Sequence, residues 1–270
     1  MTRITSMFER TRRDGRIALM PYLPVGYPSV ETTLALAPAL VEAGADLFEL
    51  GVPYSDPLAD GATVQHATHQ ALLNGVTPAV CLDVAAKLRQ TADVPLVFMS
   101  YYNPIAHFGG KSFCRAAADS GVDGLIVPDL PPEEADDLRQ AANDHHLDLI
   151  FFVAPTSTDE RLRIVVQVAS GFVYCVSLSG VTGARNRLAD GLGDYLERVR
   201  AVTRLPLVVG FGISRPEHVQ EVARHADGAI VASALIDLLD KLAPAERIAG
   251  AAAYVRELAG ATVSSPPPEP

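Results

Sequence analysis

The chain has 270 residues, 49% of them hydrophobic, and a formal net charge of -10, with Arg10, Arg12 and Arg13 as its one basic cluster. That pattern excludes the basic footprint of a nucleic-acid binder and attraction to an anionic membrane surface, while leaving enough apolar residues for a large core. No run of 18 apolar residues occurs, and the opening Met-Thr-Arg-Ile-Thr-Ser-Met-Phe-Glu-Arg is charged and amphipathic without an apolar signal segment, so an extra N-terminal helix and a cytoplasmic location are expected.

From there short apolar, β-rich runs recur at 17–23, 46–50, 96–99, 124–127, 147–153, 173–176, 207–209 and 229–231. Amphipathic stretches at 30–43, 63–74, 78–89, 132–143, 159–169, 193–202 and 216–224 lie between them. The strand runs are continuously apolar rather than alternating, as expected of a parallel sheet covered by helices on its outer face and packed within. Eight strand–helix units in this length, with no G-x-G-x-x-G fingerprint after any strand, predict an α/β fold: a single (β/α)8 TIM barrel over residues 1–260. An internal echo supports repetition, with Ala-Gly-Ala-Asp at 43–46, Ser-Gly-Val-Asp at 120–123 and His-Ala-Asp at 225–227 each leading into a strand. Residues 261–270, ending Ser-Ser-Pro-Pro-Pro-Glu-Pro, read as a disordered tail.

The cysteines, Cys81, Cys114 and Cys175, are far apart and form no Cys-x-x-Cys pair, so they read as reduced packing residues. His66 and His69 share a predicted helix face but no third ligand accompanies them, and no metal is expected.

Chemistry concentrates at 48–61, Phe-Glu-Leu-Gly-Val-Pro-Tyr-Ser-Asp-Pro-Leu-Ala-Asp-Gly. Glu49 stands where a core residue belongs, so it needs either a partner or a raised pKa, and both are properties of general acids and bases. Asp56 and Asp60 follow in a loop shaped by Pro53, Pro57 and Gly61. A strand-end Glu bonded to backbone, with turn-forming Asp residues after it, would explain the same residues. In a barrel, Glu49, Tyr101, Asp129, Ser177, Gly210 and Ser233 converge on the mouth at the C-terminal strand ends. The segments Val209-Gly210-Phe211-Gly212-Ile213-Ser214 and Val231-Ala232-Ser233-Ala234 follow strands seven and eight, where such barrels bind phosphate through backbone N–H groups. The long, small and polar stretch from Ser177 to Asn186 after strand six reads as a mobile lid.

With these residues in view, the chain resembles the α subunit of tryptophan synthase over nearly its full length. The resemblance rests on Pro21-Tyr22-Leu23-Pro24-Val25-Gly26-Tyr27-Pro28, the 49–61 segment, Tyr101-Tyr102-Asn103-Pro104, Pro128-Asp129-Leu130-Pro131, Gly180-Val181-Thr182-Gly183 and Gly210-Phe211-Gly212-Ile213-Ser214, in the family's order. It implies retro-aldol cleavage of indole-3-glycerol phosphate, with indole passed to a pyridoxal-phosphate-dependent β subunit in an α2β2 tetramer, and no cofactor in this chain. Glu49 is then the proton donor and acceptor, and Asp60 the ionised group that holds the indole N–H, for which a low pKa is expected. Gly183, Gly212 and Ser233 match phosphate-binding positions. Tyr22, Met99, Tyr174 and Phe211 match the walls of the indole pocket, Thr182 matches the lid residue that meets Asp60, and Tyr101 joins the substrate-binding set. Asp56 and the loop 128–132, with Pro128 and Pro132 at its ends, match the face that meets the β subunit. Ala232 departs from the family's usual glycine before the phosphate-binding serine, and Arg185 and Arg187 add charge to the lid. Another phosphosugar barrel, a regulatory subunit without turnover and a stand-alone indole-releasing lyase are the competing readings; retention of both Glu49 and Asp60 argues against the second.

Overall fold

The structure, a computed structural model, describes residues 1–177 and 191–263. Helix α1 (Arg3–Arg13) precedes β1 (Ala18–Pro24), α2 (Val30–Glu42), β2 (Phe48–Gly51), α3 (Ala62–Leu73), α4 (Pro78–Thr91), β3 (Leu96–Met99), α5 (Tyr102–Phe108), α6 (Gly110–Asp119) and β4 (Gly124–Ile126). Then come α7 (Asp136–Asp144), β5 (Asp148–Val153), α8 (Asp159–Val168), β6 (Val173–Val176), α9 (Leu192–Arg200), β7 (Leu207–Gly210), α10 (Pro216–Ala223), β8 (Gly228–Val231), α11 (Ser233–Lys241) and α12 (Arg247–Ala259). The strands pair in parallel in chain order and close β8 onto β1, the TIM barrel expected.

Strand periodicity sorts the core into two parts. Leu19, Leu23, Phe48, Leu50, Leu96, Phe98, Val173, Cys175, Leu207 and Val209 face outward into the layer of helices. The intervening residues, Met20, Tyr22, Val97, Met99, Ile126, Ile150, Tyr174, Val208 and Ile230, fill the barrel interior. Glu49, between Phe48 and Leu50, has the interior parity and pairs with Tyr22 on one side and Val97 on the other. A carboxylate therefore enters the barrel because of strand register alone.

Helix α1 closes the opposite end. Its Ile4, Met7 and Phe8 join the interior cluster, with Phe8 edge-on to Phe172 at 6.0 Å. Thr2 caps the helix by accepting from Thr5 N at 3.2 Å, and its hydroxyl donates to Asp148 at 2.8 Å, tying the cap to the start of β5.

The sequence echo has a physical content. The main-chain N–H groups of Asp46, Asp123 and Asp227 donate to the carbonyls of Leu19, Leu96 and Leu207 at 2.8, 2.7 and 2.8 Å. Each carboxylate in return accepts the same leucine's N–H, at 3.0, 2.9 and 2.9 Å. Arg16, Arg89 and Arg200 neutralise the three carboxylates. Three strand pairs are thus locked at their N-terminal ends by one device, which meets the hydrogen-bonding needs of buried charge and keeps the site end free.

The boundaries differ from expectation in places. The second strand starts at Phe48 rather than residue 46, because Asp46 is spent on Leu19 and Arg16. Helices α5 and α6 were not among the predicted stretches; Gly109 joins the two with φ 89°. Helices α11 and α12 were also missing from the predicted set, although Leu235, Ile236 and Leu239 carry helical spacing. Residues 261–263 are not tail: Ala261 and Thr262 are buried, the Thr262 carbonyl accepts from Ile17 N at 3.0 Å, and Val263 bridges Arg16. The remaining tail residues, 264–270, lie outside the described residues. Cys81, Cys114 and Cys175 are free and buried in the outer core. Among the described residues no single helix is long and apolar enough to cross a membrane.

Candidate active site

Glu49 is 4% exposed, and its Oε2 has no hydrogen-bond partner among the described residues. Burial, and then the charge of Asp60, push its pKa up to about 8. It is a carboxylic acid at neutral pH, buried yet uncommitted. Buried polar atoms are nearly always paired, so an orphan oxygen at a barrel mouth marks a place for a ligand.

Asp60 reaches the site through a tight turn, its N–H donating to the Pro57 carbonyl at 3.1 Å, just before α3. The Tyr101 hydroxyl organises this turn: it accepts from Ala59 N at 2.8 Å and donates to the Asp60 carboxylate. The expectation of a low pKa for Asp60 is corrected here. Burial raises it to about 7, and the Tyr101 hydrogen bond offsets that only in part. Among the described residues no cation is a cause of the Asp60 shift, and burial raises both carboxylates instead of setting them apart.

Two tyrosines line the interior beside Glu49. Tyr22 and Tyr174 are buried, and desolvation holds both phenols well above their ordinary range, so they remain neutral. Each ring lies over a strand-end glycine. A Cβ on Gly51 would sit 2.3 Å from the Tyr22 hydroxyl, and one on Gly210 would sit 2.1 Å from the Tyr174 hydroxyl. No larger residue fits at either position without moving a pocket wall. Tyr174 continues an aromatic row, 4.5 Å from Phe152 and 6.3 Å from Phe211 by ring centroids. Phe152 was absent from the predicted site; its place on β5, opposite Tyr174 in the strand register, is what could have found it. Met99 ends β3 among the same interior residues.

The loop after β7 is strained. Phe211 (φ 74°) and Gly212 (φ 77°) both adopt the left-handed conformation, which an aromatic residue rarely takes, and Phe211 is 37% exposed. Ser177, predicted at the mouth, serves this loop: its hydroxyl donates to the Gly210 and Phe211 carbonyls, at 3.0 and 2.6 Å. On the adjacent strand α11 begins at Ser233 with no side-chain cap, leaving its first N–H groups available. Ala232 takes a negative φ, -121°, so the added methyl meets no left-handed strain.

Other predicted residues do different work. The Asp129 carboxylate accepts from Tyr102 N at 2.8 Å and so caps α5. Asp56 is exposed and its carboxylate accepts from the Ser55 hydroxyl. His66 stands edge-on to Tyr27, with ring centroids 6.3 Å apart. Thr182, Gly183, Arg185 and Arg187 lie outside the described residues.

The arrangement supplies a protonated acid that can give and retake a proton, a second carboxylate, an aromatic slot and a pair of backbone loops suited to an anion. It fits a flat aromatic substrate carrying a phosphate. Comparison with known proteins gives a family. The family model described as the tryptophan synthase alpha chain matches residues 8–262. The tryptophan synthase alpha chain of Chloroflexus aggregans is 60% identical over 263 residues, covering 97% of this chain and 98% of that protein. That of Roseiflexus castenholzii is 58% identical, covering 96% and 100%. Among solved structures, a Mycobacterium tuberculosis tryptophan synthase chain superposes with TM-score 0.90 at 40% identity, covering 98% and 99%. The tryptophan synthase alpha subunit of Legionella pneumophila gives 0.89 at 34%, covering 97% and 98%.

Proposed function

The chain belongs to the tryptophan synthase alpha chain family, and from that premise we propose how its barrel mouth performs the reaction. The family's alpha chain is a lyase. It cleaves indole-3-glycerol phosphate to indole and D-glyceraldehyde 3-phosphate, and the indole passes to a beta subunit that joins it to L-serine.

In our reading the indole lies in the slot formed by Tyr22, Met99, Phe152, Tyr174 and Phe211, and Gly212 and Ser233 receive the phosphate. Glu49 donates its proton to the indole C3, which converts the ring to a cation with its charge on the N–H side. The Asp60 carboxylate accepts that N–H and stabilises the charge. Glu49, now ionised, removes the proton of the hydroxyl on the adjoining side-chain carbon. The C–C bond breaks, its electrons return to the ring, and the carbinol carbon becomes the aldehyde. The proton count on Glu49 closes. The observation that carries this reading is the buried Glu49 with an unpartnered oxygen and a pKa near 8, because the same group must be acid first and base second.

The pH dependence tests it. Below about 7 Asp60 takes up a proton and loses its anion; above about 8 Glu49 has lost the proton it must give. We expect kcat/KM of the purified chain to follow a narrow bell with its maximum between these values, the two limbs belonging to the coupled pair. A flat profile from roughly pH 6 to pH 9 would remove this assignment.

We further propose that the beta subunit, with its pyridoxal phosphate, docks beside the mouth in an α2β2 tetramer, in the cytoplasm. In this reading Asp56 and loop 128–132 belong to the docking face. Leu58 is 90% exposed, and a groove of about 300 Å³ is lined by Pro53, Thr77, Pro78, Asn103, Pro104 and Phe108 among others. Leu58→Glu is expected to weaken association with the beta subunit by more than tenfold, roughly the cost of burying an unpaired charge, in a titration of partner-stimulated cleavage. Unchanged association would place the partner elsewhere.

A further inference from the structure

The strained loop 211–214 needs an external hold, and Ser177 supplies only part of it. Two side chains outside the substrate slot grip the next residue but one. His218, in the first turn of α10, is 4% exposed, and its Nδ1 lies 3.3 Å from Ser214 N and 3.4 Å from Ser214 Oγ. Tyr254, on α12, donates its hydroxyl to the Ser214 carbonyl at 3.0 Å. The other ring nitrogen of His218 lies 3.4 Å from the Arg215 guanidinium. Ser214 is therefore held by its N–H side, its hydroxyl and its carbonyl, from two helices that belong to different barrel units. The proton transfers described above make no use of His218 or Tyr254.

We propose that His218 and Tyr254 are positioning residues for phosphate recognition. By fixing Ser214 they hold Gly212 in its left-handed conformation, and so set the backbone of the β7 loop that, with the N-terminus of α11, is to receive a phosphate monoester. With its proton on Nε2, His218 accepts from Ser214 N–H; with its proton on Nδ1 it donates to the Ser214 hydroxyl and its Nε2 can accept from Arg215, so Ser214 is held in both cases. The proposal rests on the reading of Gly212 and Ser233 as the phosphate cradle. It makes that cradle dependent on helices α10 and α12 behind it, in the way that second-tier hydrogen bonds hold ligands in place elsewhere.

The test is a KM-against-kcat split on the purified chain, with inorganic phosphate as an independent probe of the cradle. His218→Leu is expected to raise KM for indole-3-glycerol phosphate about tenfold and to weaken competitive inhibition by inorganic phosphate by the same factor, with kcat within about twofold. His218→Asn puts an amide atom where Nδ1 stands and is expected to restore both constants to within about twofold. Tyr254→Phe, which removes a single oxygen, is expected to raise both about threefold, and it carries the test should His218→Leu fail to fold. Unchanged KM and phosphate inhibition in Tyr254→Phe and His218→Leu, a loss confined to kcat, or an Asn variant as impaired as Leu would each overturn the proposal. Ser233→Asp, which sets a negative charge in the cradle itself, separates the two levels. Without effect on phosphate inhibition it refutes the cradle and the proposal together, whereas a strong effect there beside inert His218 and Tyr254 variants refutes the positioning role alone.

Discussion

Glu49→Gln is expected to reduce cleavage of indole-3-glycerol phosphate by at least about a thousandfold, near the upper range for removal of a single acid–base group, because this one carboxyl serves both proton transfers. Substrate binding should survive. At neutral pH the native side chain is already uncharged, so a neutral amide of the same shape replaces a neutral acid. The substitution also has a stability consequence. In the unfolded chain Glu49 ionises at its ordinary 4.5, while in the fold burial delays ionisation to about 8. Between those values the folded state holds a proton that the unfolded state has released, so wild-type stability falls as pH rises through this window, by roughly 4–5 kcal/mol in total. Glu49→Gln removes that slope and is expected to be more stable than the wild type at pH 8 in denaturant titrations. A variant inactive and more stable identifies a functional group held at a cost; a variant inactive and less stable, with binding lost in parallel, would make Glu49 structural.

Much of this site could be read from the chain because strand periodicity is strict. Once 46–50 is a buried strand, a glutamate between phenylalanine and leucine must point into the barrel, and only a proton or a ligand relieves it there. The three Asp-led turns were equally visible as an echo, and the structure shows why the echo exists: each aspartate answers one leucine of the neighbouring strand. What the sequence hid depends on contacts between segments far apart in the chain. Phe152 looks like any core aromatic until β5 and β6 are in register. Helix α5 is short and carries Pro104 within it, so local propensity argued against it, whereas Asp129, supplied by another loop, caps it. The phosphate loops were named from their place after strands seven and eight and the pocket walls from family resemblance, whereas the strain at Phe211 that gives the β7 loop its shape has no local signature at all.

At Asp60 the expected electrostatics fail, and its substitution is the second large effect. An ionised Asp60 was expected to rest on a low pKa. In the fold its pKa is instead about 7, since burial outweighs the Tyr101 hydroxyl. The cationic ring formed when C3 is protonated is the missing counter-charge, so Asp60 is stabilised as an anion by the intermediate it serves rather than by the protein. Asp60→Asn keeps the shape and a hydrogen-bonding oxygen but loses the charge, and is expected to lower kcat about a hundredfold or more while KM changes little. Its pH profile should change in two ways that loss of folding would not produce. The acid limb disappears, because the group that titrated there is gone. The alkaline limb moves to lower pH, because the charge of Asp60 is one of the two causes that raise Glu49 and burial alone remains. A residual activity that retains both limbs would show that neither titration belongs to Asp60, and the ring cation would then need another partner.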